Sequence, residues 1–527
     1  MWTVKHLNLV SLSLLVTFIL IPPCEPARIF GAFSMPAPSH QIIFQALMKK
    51  LAERGHEVVV ASPCPLPEPK PENYKDVYMP VPIDDLKEMM KLIVSPKRTP
   101  LNEHIQLWSK SGFVCESQLS LPALKDYLPP KSDMSNVTFD LVLVEAFFMD
   151  CMVPFAHHFN APLIAIATQY SIPWVNDMVG SPDSPAHVPH TFLPYSQNMN
   201  FLQRLHNTAF ILFTKLYRRF VSLPEQDKIA RKYFGPSMPP LWELEQNTSL
   251  VLTNGHPVVS PIHPTLPNLI EVGGIHVDAN PPPLPKDLQD FMDEHEKIVL
   301  FSLGSLITSK NIPEDRLKIF LEIFMEVPCH FIWRWDGEIE ELPVPPNVVT
   351  SKWLPQQSIL AHPHLTAFIT HGGLLSMLES AYHGVPLIGF PFYGDQKLNM
   401  KQATENGLGV TFDFFSFKKK QLVDTLNDVL NNTRYKENAE IVSRRFRDEY
   451  GTPLERAVFW TEYIIRHNGA PHLRAASTKL AWYQYYLVDV ILTLLLASML
   501  ILIVLQKIIS FITVSLNSLQ SQKNKLE

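Results

Sequence analysis

The stretch WLPQQSILAHPHLTAFITHGGLLSMLESAYHGVPLIGFPFYGDQ, residues 353–396, carries the clearest structural pattern of this 527-residue chain. An apolar run, Thr366–Ile369, leads into Thr370-His371-Gly372-Gly373. A helical pattern covers Leu374–His383, Gly384 ends it, and a second apolar run covers Val385–Phe390. Strand, glycine turn, helix, glycine stop and strand in this order predict a βαβ unit.

The glycine turn stands where the predicted helix begins. A helix N-terminus presents unpaired backbone N–H groups and the positive end of the helix dipole, which together favour a bound phosphate. By itself, Gly372-Gly373 is equally compatible with a tight turn in any α/β protein. The flanking residues therefore decide whether a ligand site is present.

A second βαβ pattern opens the chain. The apolar run Arg28–Phe33 is followed by a proline-containing loop, a helical spacing over Gln41–Arg54, and a new apolar run that begins at His56. His40 then lies beyond the carboxyl end of the first strand, the edge at which open parallel sheets bind ligands. A lone histidine is more often a surface or capping residue, and this position makes that alternative less dominant.

Two carboxylates are predicted at the same edge. The buried strand Phe139–Val144 ends in Glu145, and Asp150 precedes a predicted helix, Cys151–Phe159. Asp150 also suits a plain N-cap, because aspartate is a preferred residue at helix starts.

Prolines separate this part of the chain from a second α/β segment. They cluster within residues 255–286, and a new strand, Lys297–Ser302, then ends in Leu303-Gly304-Ser305. The two segments predict an α/β protein with two Rossmann-like, doubly wound domains. If their carboxyl edges face each other, a cleft places His40 opposite His371.

Composition excludes several classes of protein. The chain is 46% hydrophobic and 18% charged with a net charge of −6, and it has no basic tract, so we expect no nucleic-acid partner. Five cysteines, at positions 24, 64, 115, 151 and 329, show no CxxC spacing. We expect the last four to be free buried thiols, with a Cys64–Cys115 bridge as the alternative.

The termini predict a membrane protein. Residues 1–27 resemble a signal peptide, and the apolar run Leu487–Leu505 is long enough to cross a bilayer. Lys523 and Lys525 in the short tail favour a cytosolic C-terminus and resemble a dilysine retrieval signal, the alternative being a merely basic tail. Three sequons, at Asn136, Asn247 and Asn431, fit a lumenal location of the main body. The predicted localisation is the endoplasmic reticulum membrane, single-pass type I.

The residues around the glycine turn resemble the signature of the UDP-glycosyltransferases. The matching positions are Trp353, Gln356, Thr370-His371-Gly372-Gly373, Ser376, Glu379, Pro386, Pro391 and Asp395-Gln396. The resemblance extends from about residue 28 to the end of the chain and is closest to the membrane-bound animal branch, which includes UDP-glucuronosyltransferases. Within that branch the chain looks most like insect members.

This resemblance implies the GT-B fold, an inverting transfer and no metal or other cofactor. The implied boundaries are a signal peptide at 1–27, an acceptor-binding domain at 28–255, a linker at 256–286, a UDP-sugar domain at 287–450, helices at 451–486, a span at 487–505 and a tail at 506–527. Trp353 would stack on uracil, Gln356 would contact the base and ribose, and Glu379 would accept hydrogen bonds from the ribose. The other implied donor contacts are diphosphate contacts from Ser305, His371, Gly372, Gly373 and Ser376, and sugar hydroxyl contacts from Asp395 and Gln396.

His40 would be the general base that takes the proton of the acceptor hydroxyl, a task suited to imidazole. A carboxylate normally orients such a histidine. Glu145 and Asp150 both qualify, and we favour Asp150 because its shorter side chain stands at a predicted helix start.

The predicted activity is transfer of a hexose from a UDP-sugar to a small lipophilic acceptor. Glucose is favoured over glucuronic acid, because the sequence shows no cation assigned to a sugar carboxylate. A dinucleotide-dependent oxidoreductase is disfavoured, since no GxGxxG follows any strand. A catalytically silent binding relative is a second alternative, and a homo-oligomer stays open.

Overall fold

The computed structural model describes residues 25–81, 98–129, 137–170, 172–305, 307, 312–337 and 344–524. The chain divides into two compact units, Met1–Arg474 and Ala475–Glu527. The predicted signal peptide falls almost entirely outside the described residues, as do Asn136 and Lys525.

The first sheet has seven strands within the described residues, all in parallel pairs, in the order β3-β2-β1-β4-β5-β6-β7. Their bounds are β1 Arg28–Ala32, β2 Glu57–Ser62, β3 Tyr74–Tyr78, β4 Leu141–Glu145, β5 Leu163–Ala167, β6 Thr248–Thr253 and β7 Leu269–Glu271. Every residue of β4, β5 and β6 is buried. Such apolar strands are typical of parallel sheets covered by helices on both faces.

The helices that accompany this sheet begin with one that carries His40. Their bounds are Pro38–Glu53, Pro100–Leu119, Pro154–His158, Pro173–Val179, Phe201–Tyr217, Leu223–Phe234 and Leu241–Glu245, with a 3₁₀ turn at Pro122–Tyr127 and a π turn at Arg218–Ser222. Proline occupies the first turn of several of them, where its missing N–H costs nothing.

The second sheet has six strands in the described region, again in parallel pairs, in the order β10-β9-β8-β11-β12-β13. Its strands are β8 Ile298–Ser302, β9 His330–Arg334, β10 Val348–Ser351, β11 Leu365–Thr370, β12 Leu387–Gly389 and β13 Gly409–Thr411. Its helices are Lys286–Glu294, Glu314–Glu326, Gln356–Leu360, Leu374–His383, Gln396–Glu405, Lys419–Asn431 and Thr433–Arg447.

The predicted βαβ unit is confirmed as β11, helix Leu374–His383 and β12. Gly373 is the N-cap of the helix, and Gly384 ends it in the left-handed region at φ 68°. The prediction of two doubly wound sheets is confirmed too. In both sheets the order in which strands are added reverses at the first strand, between β1 and β4 and between β8 and β11. Ligands bind at such switch points, beyond the carboxyl ends of the strands.

The predicted linker at 256–286 is wrong in part. Strand β7, Leu269–Glu271, lies inside it and pairs with β6 in the first sheet, with Leu269 opposite Val251. Helix Pro453–Arg466 begins inside the predicted C-terminal segment 451–486 and packs against the first sheet's helix Pro38–Glu53. Ala457, Val458 and Ile464 share a buried cluster with Leu47 and Leu51.

The prediction of four free thiols is also wrong. Cys115 and Cys151 form a disulfide with their Cα atoms 6.0 Å apart, which is within the usual range. Among the described cysteines, Cys64 and Cys329 remain free. The alternative pairing of Cys64 with Cys115 is therefore wrong as well, because packing of helix Pro100–Leu119 brings Cys115 to Cys151.

The C-terminal unit contains a short helix, Trp482–Tyr485, and a long one, Val488–Lys523. By length and composition the long helix can cross a membrane. At 1.5 Å per residue its 36 residues extend about 54 Å, which exceeds the ~30 Å of a bilayer core. The helix continues past the predicted end at Leu505, because Gln506 and Lys507 are compatible with helix and further apolar residues follow.

Candidate active site

A cavity of about 650 Å³ lies between the carboxyl edges of the two sheets. Most predicted site residues line it, namely His40, Ser305, Trp353, Gln356, His371, Gly373, Ser376, Glu379, Asp395 and Gln396. Glu145 lies behind the wall in contact with Met35 and His40, which form it, and Gly372 lies between His371 and Gly373 in the chain. The cavity therefore joins residues from both halves of the chain, as the facing-domain prediction required.

His40 is held by Glu145 at the switch point of the first sheet. Nδ1 of His40 lies 2.5 Å from Oε1 of Glu145, and the hydroxyl of Thr168 lies 3.1 Å from the same nitrogen. The other carboxylate oxygen of Glu145 accepts the N–H of Met35 at 3.0 Å. Phe147 packs edge-on against the imidazole. These contacts fix the ring and leave Nε2 as the nitrogen for a ligand.

Asp150, which the sequence favoured as the partner of His40, is not in contact with it. Its side chain is buried and accepts a hydrogen bond from Arg218 at 2.8 Å. Arg218 also binds Glu245, and Gln226 accepts the backbone N–H of Asp150 at 2.6 Å. The preference for Asp150 was wrong because a buried guanidinium from the π turn takes this carboxylate. Glu145, at the end of β4, is therefore the carboxylate that contacts His40.

The helix Leu374–His383 points its N-terminus into the cavity. The first hydrogen bond of the helix runs from Met377 N–H to the carbonyl of Gly373 at 3.0 Å. The backbone N–H groups of Leu374, Leu375 and Ser376 precede it, and these three residues line the cavity. This arrangement can bind an anion such as a phosphate.

His371 is neutral in this environment. Burial, and secondarily the nearby Arg334 guanidinium, lower the pKa of His371 to about 4. Its Nδ1 has no hydrogen-bond partner among the described residues. A neutral imidazole that lines the cavity can donate one hydrogen bond to a ligand oxygen.

Glycine is required on both sides of His371. A Cβ added to Gly304 would lie 2.5 Å from Cε1 of the ring, and one added to Gly373 would lie 2.5 Å from Nε2. Gly304 also has a φ of +78°, in the left-handed region. The backbone of two loops therefore approaches the imidazole closely, and this approach fixes the ring in the wall.

Gln356, Ser376 and Glu379 form one polar cluster. The Gln356 amide donates to the Ser376 hydroxyl at 3.0 Å and to a Glu379 oxygen at 2.5 Å. Nε2 of His276 lies 3.3 Å from the other oxygen of Glu379. The one-turn spacing of Ser376 and Glu379 made their common face predictable, whereas His276 carried no recognisable signal in the sequence.

Trp353 offers an open aromatic face at one end of the cavity. Its side chain is 68% exposed, and the Arg334 guanidinium lies 5.7 Å from the ring centroid. Ser305 lines the same region and is exposed. An exposed indole beside a cation is suited to stacking on a planar, electron-rich ring.

Asp395 and Gln396 occupy the start of helix Gln396–Glu405. Asp395 accepts a hydrogen bond from Asn399 at 2.9 Å. Burial raises the pKa of Asp395, and the Asn399 hydrogen bond and the nearby His40 partly offset this effect. Gln396 accepts the N–H groups of Phe392 and Tyr393 through its carbonyl.

Two further residues from the first domain reach the same part of the cavity. Arg98 and Glu103 line it and form an ion pair at 2.8 Å. They come from the start of helix Pro100–Leu119 and its preceding residues, a region in which the sequence showed no motif.

The sequons that the structure describes are exposed. Asn247 and Asn431 both lie at the surface, at the end of a turn and of a helix respectively. Asn136 is outside the described residues. No group of three potential metal-ligating side chains is present in the described part of the chain.

The chain is similar to known proteins over nearly its whole length. Residues 33–523 match the family described as UDP-glucoronosyl and UDP-glucosyl transferase. UDP-glycosyltransferase UGT5 of Dactylopius coccus is 35% identical over 477 residues, which cover 88% of each chain. UDP-glucosyltransferase 2 of the same insect is 36% identical over 488 residues, covering 90% of this chain and 91% of that protein.

A solved structure supports the fold independently. A UDP-glucosyltransferase from Polygonum tinctorium, captured with 3,4-dichloroaniline, superposes with a TM-score of 0.57 at 16% identity, covering 84% of this chain and 99% of that one. This likeness, together with the two parallel sheets, establishes the GT-B fold. With the family match and the relatives in agreement, this chain belongs to the UDP-glucoronosyl and UDP-glucosyl transferase family and is a UDP-glycosyltransferase.

Proposed function

We propose that this enzyme transfers a hexose, with glucose favoured, from a UDP-sugar to a hydroxyl of a small lipophilic acceptor, with inversion at the anomeric carbon. The observation that carries the proposal is the His40–Glu145 contact of 2.5 Å on the wall of the cavity that also holds the N-terminus of helix Leu374–His383. A base and an anion site in one cavity are what such a transfer needs. A relative named UDP-glucosyltransferase 2 supports the choice of glucose.

In the proposed reaction, Nε2 of His40 accepts the proton of the acceptor hydroxyl. The acceptor oxygen forms the new bond to the anomeric carbon as the bond to the UDP oxygen breaks. Glu145 orients the imidazole through Nδ1 and stabilises the positive charge that the ring gains. Asp150 takes no part in this step, because it neutralises Arg218.

The donor is held by the second domain. Trp353 stacks on uracil, Gln356 contacts the base and ribose, and Glu379 accepts hydrogen bonds from the ribose hydroxyls. The diphosphate lies at the N-terminus of helix Leu374–His383, beside Ser305 and Gly372-Gly373.

The departing UDP is stabilised by the helix N–H groups and by a hydrogen bond from the neutral His371. No metal is part of this proposal. Asp395 and Gln396 bind hydroxyls of the transferred sugar, since both line the cavity and Asp395 is near His40.

We also propose that helix Val488–Lys523 anchors the enzyme in the endoplasmic reticulum membrane as a single-pass type I protein with its catalytic domains in the lumen. The disulfide Cys115–Cys151 supports a lumenal location, because disulfides persist in oxidising compartments. A shift in gel mobility after removal of N-glycans, reduced in Asn247→Gln or Asn431→Gln, would demonstrate lumenal exposure. Unshifted mobility together with protease-accessible domains in sealed microsomes would contradict it.

The activity is tested in microsomes that contain the full-length chain, incubated with UDP-glucose, UDP-galactose or UDP-glucuronate and a panel of phenols. Mass spectrometry then identifies the glycosides. His40→Ala should abolish transfer while the affinity for UDP stays within about threefold, since base catalysis contributes about 10²–10⁴-fold to such reactions. Full activity of His40→Ala would remove His40 from the mechanism. Binding of UDP without transfer from any donor would favour a silent binding protein.

A further inference from the structure

The position of the transferred sugar follows from the proposed function. The diphosphate lies at the helix N-terminus and the acceptor hydroxyl at His40, so the sugar must lie between them. The loop Tyr393–Gln396 of the second domain and the Arg98–Glu103 pair of the first domain line this interval. Asp395 within the loop is close enough to His40 for the two charges to interact.

The Arg98–Glu103 pair lies directly on that loop. Nε of Arg98 is 2.8 Å from Oε1 of Glu103, and Oε2 of Glu103 accepts the N–H of Gly394 at 3.0 Å. The Arg98 guanidinium also lies 5.8 Å from the centroid of the Tyr393 ring. The two side chains therefore connect the first domain to the loop beside the sugar.

Both charges are largely removed from water. The side chains of Arg98 and Glu103 are 9% and 7% exposed. Burial lowers the pKa of Arg98 and raises the pKa of Glu103, and each group partly offsets the shift of the other. Nη1 of Arg98 makes no hydrogen bond within the described part of the chain. Loss of either partner would leave a buried charge without compensation.

The pair also determines the charge that a donor sugar meets. Of the arginines and lysines that line the cavity in the described residues, Arg334 lies beside Trp353 and Arg98 lies beside Tyr393 of the loop assigned to the sugar. Arg98 is the cation that a sugar carboxylate would need. Glu103 already matches its charge, and Asp395 adds a further acidic group nearby.

We propose that the Arg98–Glu103 pair is the element that sets donor specificity, because its cancelled charge accepts an uncharged hexose and disfavours a UDP-sugar that carries a carboxylate. The inference rests on the proposed UDP-sugar transfer and deepens it. It predicts that the preference between UDP-glucose and UDP-glucuronate depends on which member of the pair is charged, and not on the contacts with uracil or diphosphate.

The test measures kcat/KM for UDP-glucose and UDP-glucuronate, with one phenolic acceptor and the full-length enzyme in microsomes. Glu103→Gln keeps a carbonyl oxygen for the Gly394 N–H but leaves the Arg98 charge unmatched. We expect the ratio of UDP-glucuronate to UDP-glucose use to rise about 10- to 100-fold, the range for a hydrogen bond to a charged group. Arg98→Gln should lower the ratio, since it leaves Glu103 unmatched. The double variant should return it to within about threefold of the original enzyme.

Glu116→Gln is the matched control. It removes the same charge from the same helix, but Glu116 pairs with Lys232 and Tyr233 outside the cavity lining. Its donor ratio should be unchanged. Thermal protection by UDP, UDP-glucose and UDP-glucuronate provides a second readout that does not need turnover. If Glu103→Gln no longer binds UDP, Arg98→Gln and the double variant carry the test.

Three results would overturn the inference. They are an unchanged ratio in both single variants, a shift in the same direction in both, and a preference of the original enzyme for UDP-glucuronate. The last result would leave UDP-sugar transfer intact. By contrast, an original enzyme that binds UDP and transfers no sugar would reject the proposed function itself.

Discussion

Oε1 of Glu145 lies 2.5 Å from Nδ1 of His40, whereas Asp150, the next acidic residue along the chain, accepts a hydrogen bond from Arg218 at 2.8 Å. These two carboxylates, five residues apart in the chain, therefore have different roles. One is available to orient an imidazole on the cavity wall, and the other compensates a buried guanidinium in the core. The side chains are of the same chemical type, so the difference comes entirely from their partners.

Separate substitutions should divide these two tasks. Glu145→Gln should lower kcat by about 10²-fold or more with a small change in melting temperature, because it removes the negative charge beside the proposed base. Asp150→Asn should instead cost about 1–3 kcal/mol of stability, because Arg218 loses a charged partner. Its kcat per folded molecule should stay within about fivefold of the original. Steady-state kinetics and thermal melts of both variants check this, and the reverse pattern would contradict the division.

The division also shows where a sequence stops being informative. The strand ending at Glu145 is readable from its apolar run, and so is its place at the carboxyl edge of the sheet. The choice between Glu145 and Asp150 cannot be read from the sequence, because Arg218 lies 68 residues after Asp150 and contacts it only through the packing of the π turn. Local periodicity predicts elements, and long-range packing assigns partners.

Two adjacent glutamines provide a second matched test. Both glutamines line the cavity, but Gln356 bonds Ser376 and Glu379, whereas Gln357 bonds the His276 carbonyl and the Asp278 N–H. Gln356→Ala should weaken UDP binding about tenfold, since it removes hydrogen bonds around the proposed ribose site.

Gln357→Ala should lower the melting temperature, because the His276 carbonyl and the Asp278 N–H lose their side-chain partner, while UDP affinity changes less than about threefold. Calorimetric titration with UDP and thermal melts separate the two effects. Equal losses of UDP affinity in both variants would mean that the cluster around Gln356 has no special role.

The same limits apply to the fold. The βαβ unit around Gly373 was predictable because apolar runs, glycines and helical spacing are local. Strand β7, Leu269–Glu271, was missed because it has only three residues and prolines surround it. The disulfide and the contact of Glu103 with Gly394 were missed for another reason, since each depends on where helix Pro100–Leu119 packs. A family signature identifies the residues of the proposed UDP-sugar site, but it does not identify Arg98 and Glu103, which line the same cavity from the first domain.

Glycine at position 304 gives a third test. Gly304→Ala should cost about 1 kcal/mol through its left-handed backbone. It should also weaken UDP binding, because the new methyl group would lie 2.5 Å from His371 and displace the ring. Gly235→Ala is the control, since Gly235 has a φ of +95° and no atom within 4 Å of an added Cβ. Both variants should melt lower, and only Gly304→Ala should lose UDP affinity. Unchanged affinity in Gly304→Ala would place His371 outside the donor site.

His371 should make the unliganded enzyme sensitive to acid. Burial lowers its pKa to about 4, below the value of about 6.5 expected in the unfolded chain. Between these values the unfolded state binds the extra proton, so stability falls as the pH is lowered through this window, by at most about 1.4 kcal/mol per pH unit. Stability is regained as the pH rises above about 6.5.

Thermal melts at pH 7 and pH 5 of the original enzyme and of His371→Gln check this sign. The melting temperature of the original enzyme should fall further between the two pH values than that of the variant. His104, whose pKa burial lowers to about 3, is present in both proteins, so its contribution cancels in the comparison. UDP should reduce the difference, because a diphosphate beside the imidazole favours the protonated ring. Equal falls with and without His371, unaffected by UDP, would contradict both the buried neutral state of His371 and its place beside the diphosphate.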